Sequence, residues 1–238
     1  MKSHTTRLSH RTPPVFDIER FGASLPTIVG TVADRRTLDG LNLRVLDMPV
    51  RFPGSEDYRL PREFLALAPL LKQIVQHERA INSRYEEYYA YLTVDVGTVA
   101  AGTSQRRGGL HVDGFQGARI TQKTFVNSSY LVANVLPTIF SQQRYRVGRL
   151  DIAKHNFFHA FDRQAKPENE WQAHPYQIVR ADAHCVHRAA VASRAIRRVF
   201  LRVSFDTKVF DRLGNTHNDL FDYDWEMVKR GVQATLLE

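Results

Sequence analysis

Three side chains of this sequence could together hold a metal ion: His111, Asp113 and His187. The first two stand two residues apart in the glycine-flanked run Gly108-Gly109-Leu110-His111-Val112-Asp113-Gly114. In a β-strand, residues two apart project from the same face, and flanking glycines let a ligand or another backbone approach closely. His187 lies 74 residues after Asp113 and would supply the third ligand. Two imidazoles and one carboxylate on one side of a metal leave open positions, as in non-haem Fe(II) oxygenases.

His184 competes with His187 for the third ligand position. Both lie in a segment, residues 184–189, that we predict to be a strand, and residues three apart in a strand face opposite sides. Only one of the two imidazoles can therefore point inward. We favour His187 because the arginines that follow lie at a suitable offset from it, and we expect His184 to bond a neighbouring loop or Asp182.

Two arginines follow His187 on one face of a predicted strand. Arg198 and Arg202 lie 11 and 15 residues after it, among apolar residues that are typical of a central strand. A guanidinium group is costly to bury unless it meets an anion. The sequence therefore predicts a ligand that carries a carboxylate beside the metal, and 2-oxoglutarate is such a ligand.

With these residues the sequence resembles the Fe(II)/2-oxoglutarate-dependent dioxygenases, specifically the taurine-dioxygenase-like branch, which has an Arg-Arg-x-x-x-Arg segment after its distal histidine. The resemblance covers roughly residues 88–205. It implies that Fe(II) is held by a catalytic set of three side chains, His111, Asp113 and His187. It also implies that Arg198 pairs with the distal carboxylate of 2-oxoglutarate, and that Arg202 contacts the cosubstrate or an anionic substrate.

Thr138 and the loop before His111 are further candidates. Thr138 lies 27 residues after His111, where the resemblance implies a threonine against the same carboxylate; an ordinary threonine at the start of a strand is the alternative. Gln105 and Arg106 precede the metal segment in a loop bounded by glycines that could close over a substrate. A solvated, charged turn is the alternative for these two residues.

The resemblance implies a reaction in which O2 and 2-oxoglutarate are consumed, with oxidative decarboxylation to succinate and CO2. Its substrate would be a small, anionic metabolite, such as an amino acid, a nucleotide or another phosphorylated compound, hydroxylated in a biosynthetic pathway. Family members that halogenate lack the carboxylate, so Asp113 favours hydroxylation or another oxidation. Two other hypotheses are a cupin-like, metal-dependent isomerase or dioxygenase without 2-oxoglutarate, and a non-enzymatic, basic nucleic-acid-binding module.

The elements that must position these residues are strands. From residue 88 onward, β-branched and aromatic segments alternate with turn residues and no helix recurs between them, which predicts an antiparallel fold. The predicted strands there are 88–96, 110–113, 119–125, 130–135, 176–179, 184–189 and 197–206, and the preceding extension has short β-like segments at 27–32 and 41–45. The fold class is mainly β with flanking helices: a double-stranded β-helix, or jelly roll, of the cupin-like kind. We expect one domain over residues 1–238, divided into four parts: an irregular extension with edge strands (1–60), supporting helices (61–88), the jelly-roll core (89–210) and a C-terminal cap (211–238). The aromatic residues of the cap would cover the barrel mouth or form a homodimer contact.

Length and composition limit the number of domains, the location and the kinds of partner that we expect. At 238 residues and 27.3 kDa the chain suits one core. The longest apolar run, residues 64–75, is interrupted by Pro69 and Lys72, so we expect no membrane span and no membrane partner. A single cysteine, Cys185, and the lack of a recognisable signal peptide lead us to expect the cytoplasm. The net charge of +8 comes from 26 arginines and seven lysines, a balance that suits anionic small molecules better than a nucleic-acid groove.

Overall fold

The structure, a computed structural model, describes residues 11–113, 125–148 and 158–229. Within these ranges the strands are β1 (Thr27–Thr31), β2 (Val45–Arg51), β3 (Tyr89–Val99), β4 (Ser128–Ala133), β5 (Ile139–Ser141), β6 (Glu170–Gln172), β7 (Gln177–Asp182), β8 (His187–Arg188) and β9 (Ile196–Asp206). The α-helices are α1 (Arg35–Asp39), α2 (Ala68–Ile81) and α3 (Phe158–Gln164). Short 3-10 helices span Ile18–Arg20, Arg62–Leu67, Tyr85–Glu87 and Pro167–Asn169.

The strands form two antiparallel sheets. The larger sheet has the order β1-β7-β4-β9-β3-β2, and the smaller has the order β6-β5-β8. An isolated bridge between His111 and His187 adds the segment before Asp113 to the smaller sheet. One cavity is lined by side chains from both sheets, so the sheets enclose it between them. The predicted mainly β, double-sheet jelly roll with flanking helices is confirmed.

The central strand β9 serves the core and the cavity at once. Its apolar side chains on one face pack in the same core as α2; they are Val199, Leu201, Val203 and Phe205. The alternate residues line the cavity between the sheets; they are Arg198, Phe200, Arg202 and Ser204. This period of two is the normal consequence of strand geometry. A strand fixed by its apolar face therefore holds its polar face rigidly against the cavity.

The helical segment before β3 packs against the large sheet as expected. It is divided next to Pro69, as a proline predicts: a 3-10 helix ends at Leu67, and Pro69 lies in the first turn of α2, where its missing N–H leaves no hydrogen bond unmade. No helix in the described ranges has the length and apolarity required to cross a membrane.

Several predicted strands differ in extent. The segment 110–113 forms only the single bridge at His111, and the predicted strand 184–189 shrinks to β8 because a turn occupies the preceding residues, where the Cys185 N–H bonds the Asp182 carbonyl. In the extension, β2 lies C-terminal to the predicted strand 41–45. As expected, β1 and β2 are the two edge strands of the large sheet. Nearly all of the predicted strand 119–125 lies outside the described residues.

The described part of the predicted cap, residues 211–229, lies against the chain's own sheet. Phe221, Tyr223 and Trp225 surround the ring of Phe52, which follows β2, at centroid distances of 4.7, 5.5 and 5.6 Å. Nearer the core, Arg212 lines the cavity between the sheets. The segment thus joins an edge of the large sheet to one rim of the cavity.

The buried carboxyl group of Asp206, the last residue of β9, should make the free energy of unfolding depend on pH. The residue is 1% exposed, and burial raises the pKa of its carboxyl group to about 6. Between the unfolded pKa near 3.8 and this folded value the native state binds more protons than the unfolded state, so the free energy of unfolding falls as pH rises through that window. Asp206→Asn keeps a carbonyl oxygen for the Lys208 N–H and should raise stability by about 1–3 kcal/mol at pH 8.

Urea unfolding of the wild type and Asp206→Asn at pH 4, 6 and 8 measures this effect. The advantage of the variant should shrink at pH 4 to a small fraction of its value at pH 8, because the wild-type carboxyl group is then almost fully protonated in the native state and about half protonated in the unfolded state. An advantage of equal size at all three pH values would contradict the shifted pKa of Asp206.

Candidate metal centre

His111, Asp113 and His187 converge on one wall of the cavity. One donor atom from each lies within 4.8 Å of the others, and His187 Nε2 is 3.7 Å from Asp113 Oδ2. The two imidazole centroids are 4.5 Å apart. Donors at this separation can surround a single ion, so the structure brings together the three residues that the sequence singled out.

A backbone pairing produces this convergence. The N–H of each histidine donates to the carbonyl oxygen of the other, both at 2.9 Å. Residues that exchange both hydrogen bonds in an antiparallel pair stand directly opposite each other, with their side chains on the same face. One pair of hydrogen bonds therefore aligns the imidazoles of His111 and His187, although the strand predicted around Asp113 is absent.

Backbone carbonyls also orient both imidazoles. His111 Nδ1 lies 2.8 Å from the Gly109 carbonyl oxygen, and His187 Nδ1 lies 2.9 Å from that of Cys185. A carbonyl oxygen only accepts, so each Nδ1 carries the hydrogen and donates it. Each Nε2 then keeps its lone pair for a metal, which is the usual way in which outer partners fix a ligating histidine.

The charge states of His111 and Asp113 also suit a cation. Burial, together with the neighbouring His187, lowers the pKa of His111 to about 3, so this imidazole is neutral at neutral pH. Desolvation opposes ionisation of Asp113, but the positive charge around it, above all the Arg202 guanidinium, outweighs desolvation and holds the pKa of that carboxyl well below its usual value. The donor set is one carboxylate and two imidazoles with free Nε2 atoms.

Arg202 has partners that its predicted role did not include. Its two terminal nitrogens donate to Asp113 Oδ2 and Asp47 Oδ1, both at 2.7 Å. Its guanidinium is thus committed to two carboxylates of the chain itself. The predicted contact of Arg202 with the cosubstrate or an anionic substrate stays a prediction; within the chain its guanidinium contacts the candidate metal ligand Asp113.

Arg198 lies four residues before Arg202 on the same face of β9 and lacks such partners. Its Nε donates to the carbonyl oxygens of Val135 and Leu136 at 3.2 and 3.0 Å, and one terminal nitrogen donates to Gln105 Oε1 at 2.7 Å. The residue is 3% exposed, yet it forms no ion pair within the described part of the chain. Burial, and then the nearby Arg106, lower the pKa of Arg198 to about 10, so it stays charged at neutral pH.

Gln105 contacts this arginine, and Thr138 lines the same cavity as it. Gln105 accepts from Arg198 and donates through Nε2 to the Asp95 carbonyl oxygen at 3.3 Å. These two hydrogen bonds connect the 100–109 loop to β9 and β3. Its observed contact is therefore with the candidate cosubstrate arginine. Thr138 is buried just before β5 and lines the same cavity as Arg198.

Arg106 lies between the metal cavity and a second, more open cavity. It pairs with Asp95 Oδ2 at 3.4 Å and stacks over Phe200. The first cavity has a volume of about 250 Å³, and the second, which shares Leu46, Arg106 and Arg107 with it, about 540 Å³. Arg44 also lines the second cavity. Three arginine side chains thus line the second cavity, and two of them, Arg106 and Arg107, also line the cavity of the metal centre.

His184, the competing ligand, lies outside this centre. Its Nε2 accepts from the Asp17 N–H at 3.2 Å, and its ring stacks on Phe16 with centroids 5.2 Å apart. It precedes β8 in a turn instead of sharing a strand with His187. The expectation that only His187 points inward is met, although the reason is this turn and not the alternation of a strand.

Asp47 is the site residue that the sequence analysis missed. It lines the cavity and is 3% exposed, and it bonds Arg202 and Thr93. The available signal was a lone acidic residue in the otherwise apolar run Val45-Leu46-Asp47-Met48-Pro49-Val50. An acidic residue is rarely fully buried without a partner, so its position in a strand indicated a nearby cation.

Comparison with known proteins gives structural similarity only. No protein-family model matches the chain, and no curated protein matches it. The chain is similar to the structure of EvdO2 from Micromonospora carbonacea var. aurantiaca complexed with 2-oxoglutarate (15% identity, 82% of this chain, 93% of EvdO2, TM-score 0.45). It is also similar to SnoN, a non-heme alpha-ketoglutarate-dependent epimerase from nogalamycin biosynthesis (14% identity, 90% of this chain, 93% of SnoN, TM-score 0.45), and to AviO1 from Streptomyces viridochromogenes Tue57 (11% identity, 79% of this chain, 92% of AviO1, TM-score 0.43). At these identities and scores the likeness assigns no reaction or substrate to this chain.

Proposed function

We propose that this chain is an Fe(II)- and 2-oxoglutarate-dependent oxygenase that hydroxylates a small, anionic metabolite in a biosynthetic pathway. His111, Asp113 and His187 would hold the iron. Two imidazoles and one carboxylate with open positions are the donor set typical of non-haem Fe(II) enzymes. A structural zinc site would instead have four protein ligands.

The single observation that carries the proposal is the buried, unpaired charge of Arg198 in the cavity that holds these donors. Burying a cation without an anion is unfavourable, so the site is arranged for an anion that arrives with a ligand. The guanidinium is already oriented through Nε and one terminal nitrogen. It would bind the distal carboxylate of 2-oxoglutarate, with the hydroxyl of Thr138 as a second donor. Charge-assisted hydrogen bonds of this kind contribute about 1.5–3 kcal/mol each.

The chain's own residues would bind the metal and the cosubstrate, orient them and exclude water from the site. Fe(II) and 2-oxoglutarate, when bound, would supply O2 activation coupled to oxidative decarboxylation of the 2-oxo acid to succinate and CO2. The carbonyls of Gly109 and Cys185 hold the two imidazoles in their ligating orientation. Phe200 and Leu131 give the cavity apolar walls. Its volume of about 250 Å³ lies just below the usual range for drug-sized ligands, which suits a small cosubstrate.

The arginines around the second cavity support an anionic substrate. Arg44 and Arg106 share the single carboxylate of Asp95, so the pair carries a surplus of positive charge. Arg107 stacks over Phe158 and forms no ion pair with a described residue. A phosphate or carboxylate group would be attracted to this surplus, and arginine forks match both groups. We propose Arg106 as the substrate contact nearest the metal, because it lines both cavities.

The function is tested by adding Fe(II) and then 2-oxoglutarate to the purified, metal-free protein under anaerobic conditions. A weak visible charge-transfer band should appear when both are present and should be removed by a chelator. Absence of the band at saturating concentrations would overturn the proposed cosubstrate. With O2, a screen of amino acids, nucleotides and other phosphorylated compounds should then show succinate formation that depends on the substrate. Metal-dependent turnover without succinate would favour a cupin-like isomerase or dioxygenase.

A further inference from the structure

Asp47 is placed in the metal cavity by an irregularity of β2. Where β2 pairs with β3, the register passes from Val45 opposite Val94 to Met48 opposite Leu92, so three steps along β2 match two along β3. The extra residue is a β-bulge, a feature that re-aims side chains beside active sites. As a result two consecutive residues, Leu46 and Asp47, both line the cavity, which a regular strand would not allow.

The backbone of Asp47 is in a conformation that carries strain. Its φ is 47°, in the left-handed region that few residues other than glycine adopt. Thr93 secures it from β3: its hydroxyl accepts from the Asp47 N–H at 3.0 Å and donates to Asp47 Oδ1 at 2.9 Å. Strained backbone of this kind persists only where surrounding contacts fix it, and it concentrates at functional sites.

The Asp47 carboxylate accepts from the terminal nitrogen of Arg202 that does not bond Asp113. Thr93 and Arg202 are directly opposite each other in the β3–β9 register, so one hydroxyl and one guanidinium meet at Asp47 Oδ1. The other terminal nitrogen of Arg202 holds Asp113. Asp47, Arg202 and Asp113 thus form a continuous chain of charge-assisted hydrogen bonds that ends on a metal ligand.

We propose that Asp47 is a positioning residue for the metal centre, acting on Asp113 through Arg202. The inference rests on the metal site of the proposed function, and it extends that site to a residue of β2. Asp47 fixes the guanidinium at the orientation that holds the Asp113 carboxylate, and it offsets the positive charge of Arg202.

Charge balance gives the second reason for Asp47. The charged groups of the cavity include two buried guanidiniums, Arg198 and Arg202, the buried carboxylate of Asp47 and the partly buried carboxylate of Asp113. A divalent metal and a dianionic cosubstrate would add charges that also cancel. Without Asp47, the full charge of Arg202 would act on Asp113 and on the cation beside it, which weakens the binding of a cation.

The test is Mn(II) binding, followed by electron paramagnetic resonance of the free ion, to the purified wild type and Asp47→Asn. Outer partners of metal ligands change metal affinity by about 10- to 100-fold, and we expect a loss in that range for Asp47→Asn. The matched control is Glu78→Gln. Glu78 is also buried and is paired with Arg180, but it lies in α2 on the opposite face of the large sheet. This control should lower the midpoint of thermal unfolding and leave the Mn(II) affinity unchanged.

A double-mutant cycle separates the relay from a direct field of the Asp47 charge. If Asp47 acts through Arg202, adding Asp47→Asn to the Arg202→Met background changes the affinity for Mn(II) by less than about threefold. An undiminished effect of Asp47→Asn in the Arg202→Met background would overturn the relay, as would an unchanged affinity of the single variant. Failure of the wild type to bind Mn(II) would instead refute the metal site of the proposed function.

Discussion

His187→Ala should abolish turnover and lower metal affinity by at least about 100-fold, the equivalent of about 3 kcal/mol. The variant removes one of the three donors and leaves a cation with one imidazole and one carboxylate. Removal of an outer partner alone reaches 100-fold in favourable cases, so loss of a ligand should reach or exceed it. Mn(II) titration measures the affinity, and the anaerobic visible band with Fe(II) and 2-oxoglutarate should vanish.

His184→Ala is the matched control for this prediction. His184 and His187 are both buried and lie three residues apart, but the Nε2 of His184 is used by the Asp17 N–H. Its removal should lower the free energy of unfolding by about 1–3 kcal/mol without a change in metal affinity. If His184→Ala lost the metal and His187→Ala kept it, the assignment of the third ligand would be reversed.

The candidate metal ligands could be singled out because their signal is local. A His-x-Asp pair with glycines around it specifies two donors within three residues, and the arginines that follow His187 separate it from His184. The three side chains lie together in the structure, although the structural basis expected for this was inaccurate. A strand through Asp113 was expected, whereas a single antiparallel bridge between His111 and His187 aligns the imidazoles. Two hydrogen bonds at one residue pair are enough for this geometry, and no sequence pattern marks such a short pairing.

The partners of Arg202 could not be derived in the same way. From the sequence, Arg198 and Arg202 were predicted to lie on one face of a strand and both to contact an anionic ligand. They differ because Asp47 meets only Arg202, and that contact requires the β2 bulge, the positive φ of Asp47 and the β3 register together. Each of these is a property of strand pairing between distant segments. The three-residue strands β5 and β6 were missed for the same reason, since they are too short to show a period.

The different partners of these two arginines divide their roles. Arg202 has two carboxylates and is neutralised within the chain, and we propose that it acts on the candidate metal ligand Asp113. Among the described residues, Arg198 has only carbonyl and amide oxygens as partners, which orient it without cancelling its charge. Leu136, whose carbonyl oxygen accepts from Arg198 Nε, has a φ of 49°, so strained backbone accompanies Arg198 as it does Asp47. A site that keeps one charge uncompensated is a site prepared for an anion.

Arg198→Met should raise the KM for 2-oxoglutarate at least about 30-fold, equivalent to about 2 kcal/mol, and leave Mn(II) affinity unchanged. Truncation of one partner in a buried, hydrogen-bonded charge pair is worth about 2–5 kcal/mol when the pair forms. Without ligand the pair does not exist, and the wild type holds a buried cation with no acidic partner in the described chain. The variant should therefore unfold at the same denaturant concentration as the ligand-free wild type, or at a higher one.

Thermal unfolding with Mn(II) and saturating 2-oxoglutarate separates this role from a structural one. A ligand that binds only the native state stabilises it by mass action, so the wild type should gain stability from 2-oxoglutarate and Arg198→Met should gain little. Arg197→Met is the matched control: Arg197 precedes Arg198 on the opposite face of β9 and bonds the Asp39 and Leu41 carbonyl oxygens. It should keep the wild-type response to 2-oxoglutarate. If both variants kept that response, Arg198 would not be the residue that binds the cosubstrate carboxylate. Among the described residues of the cavity, no other buried cation without an acidic partner could bind this anion in its place.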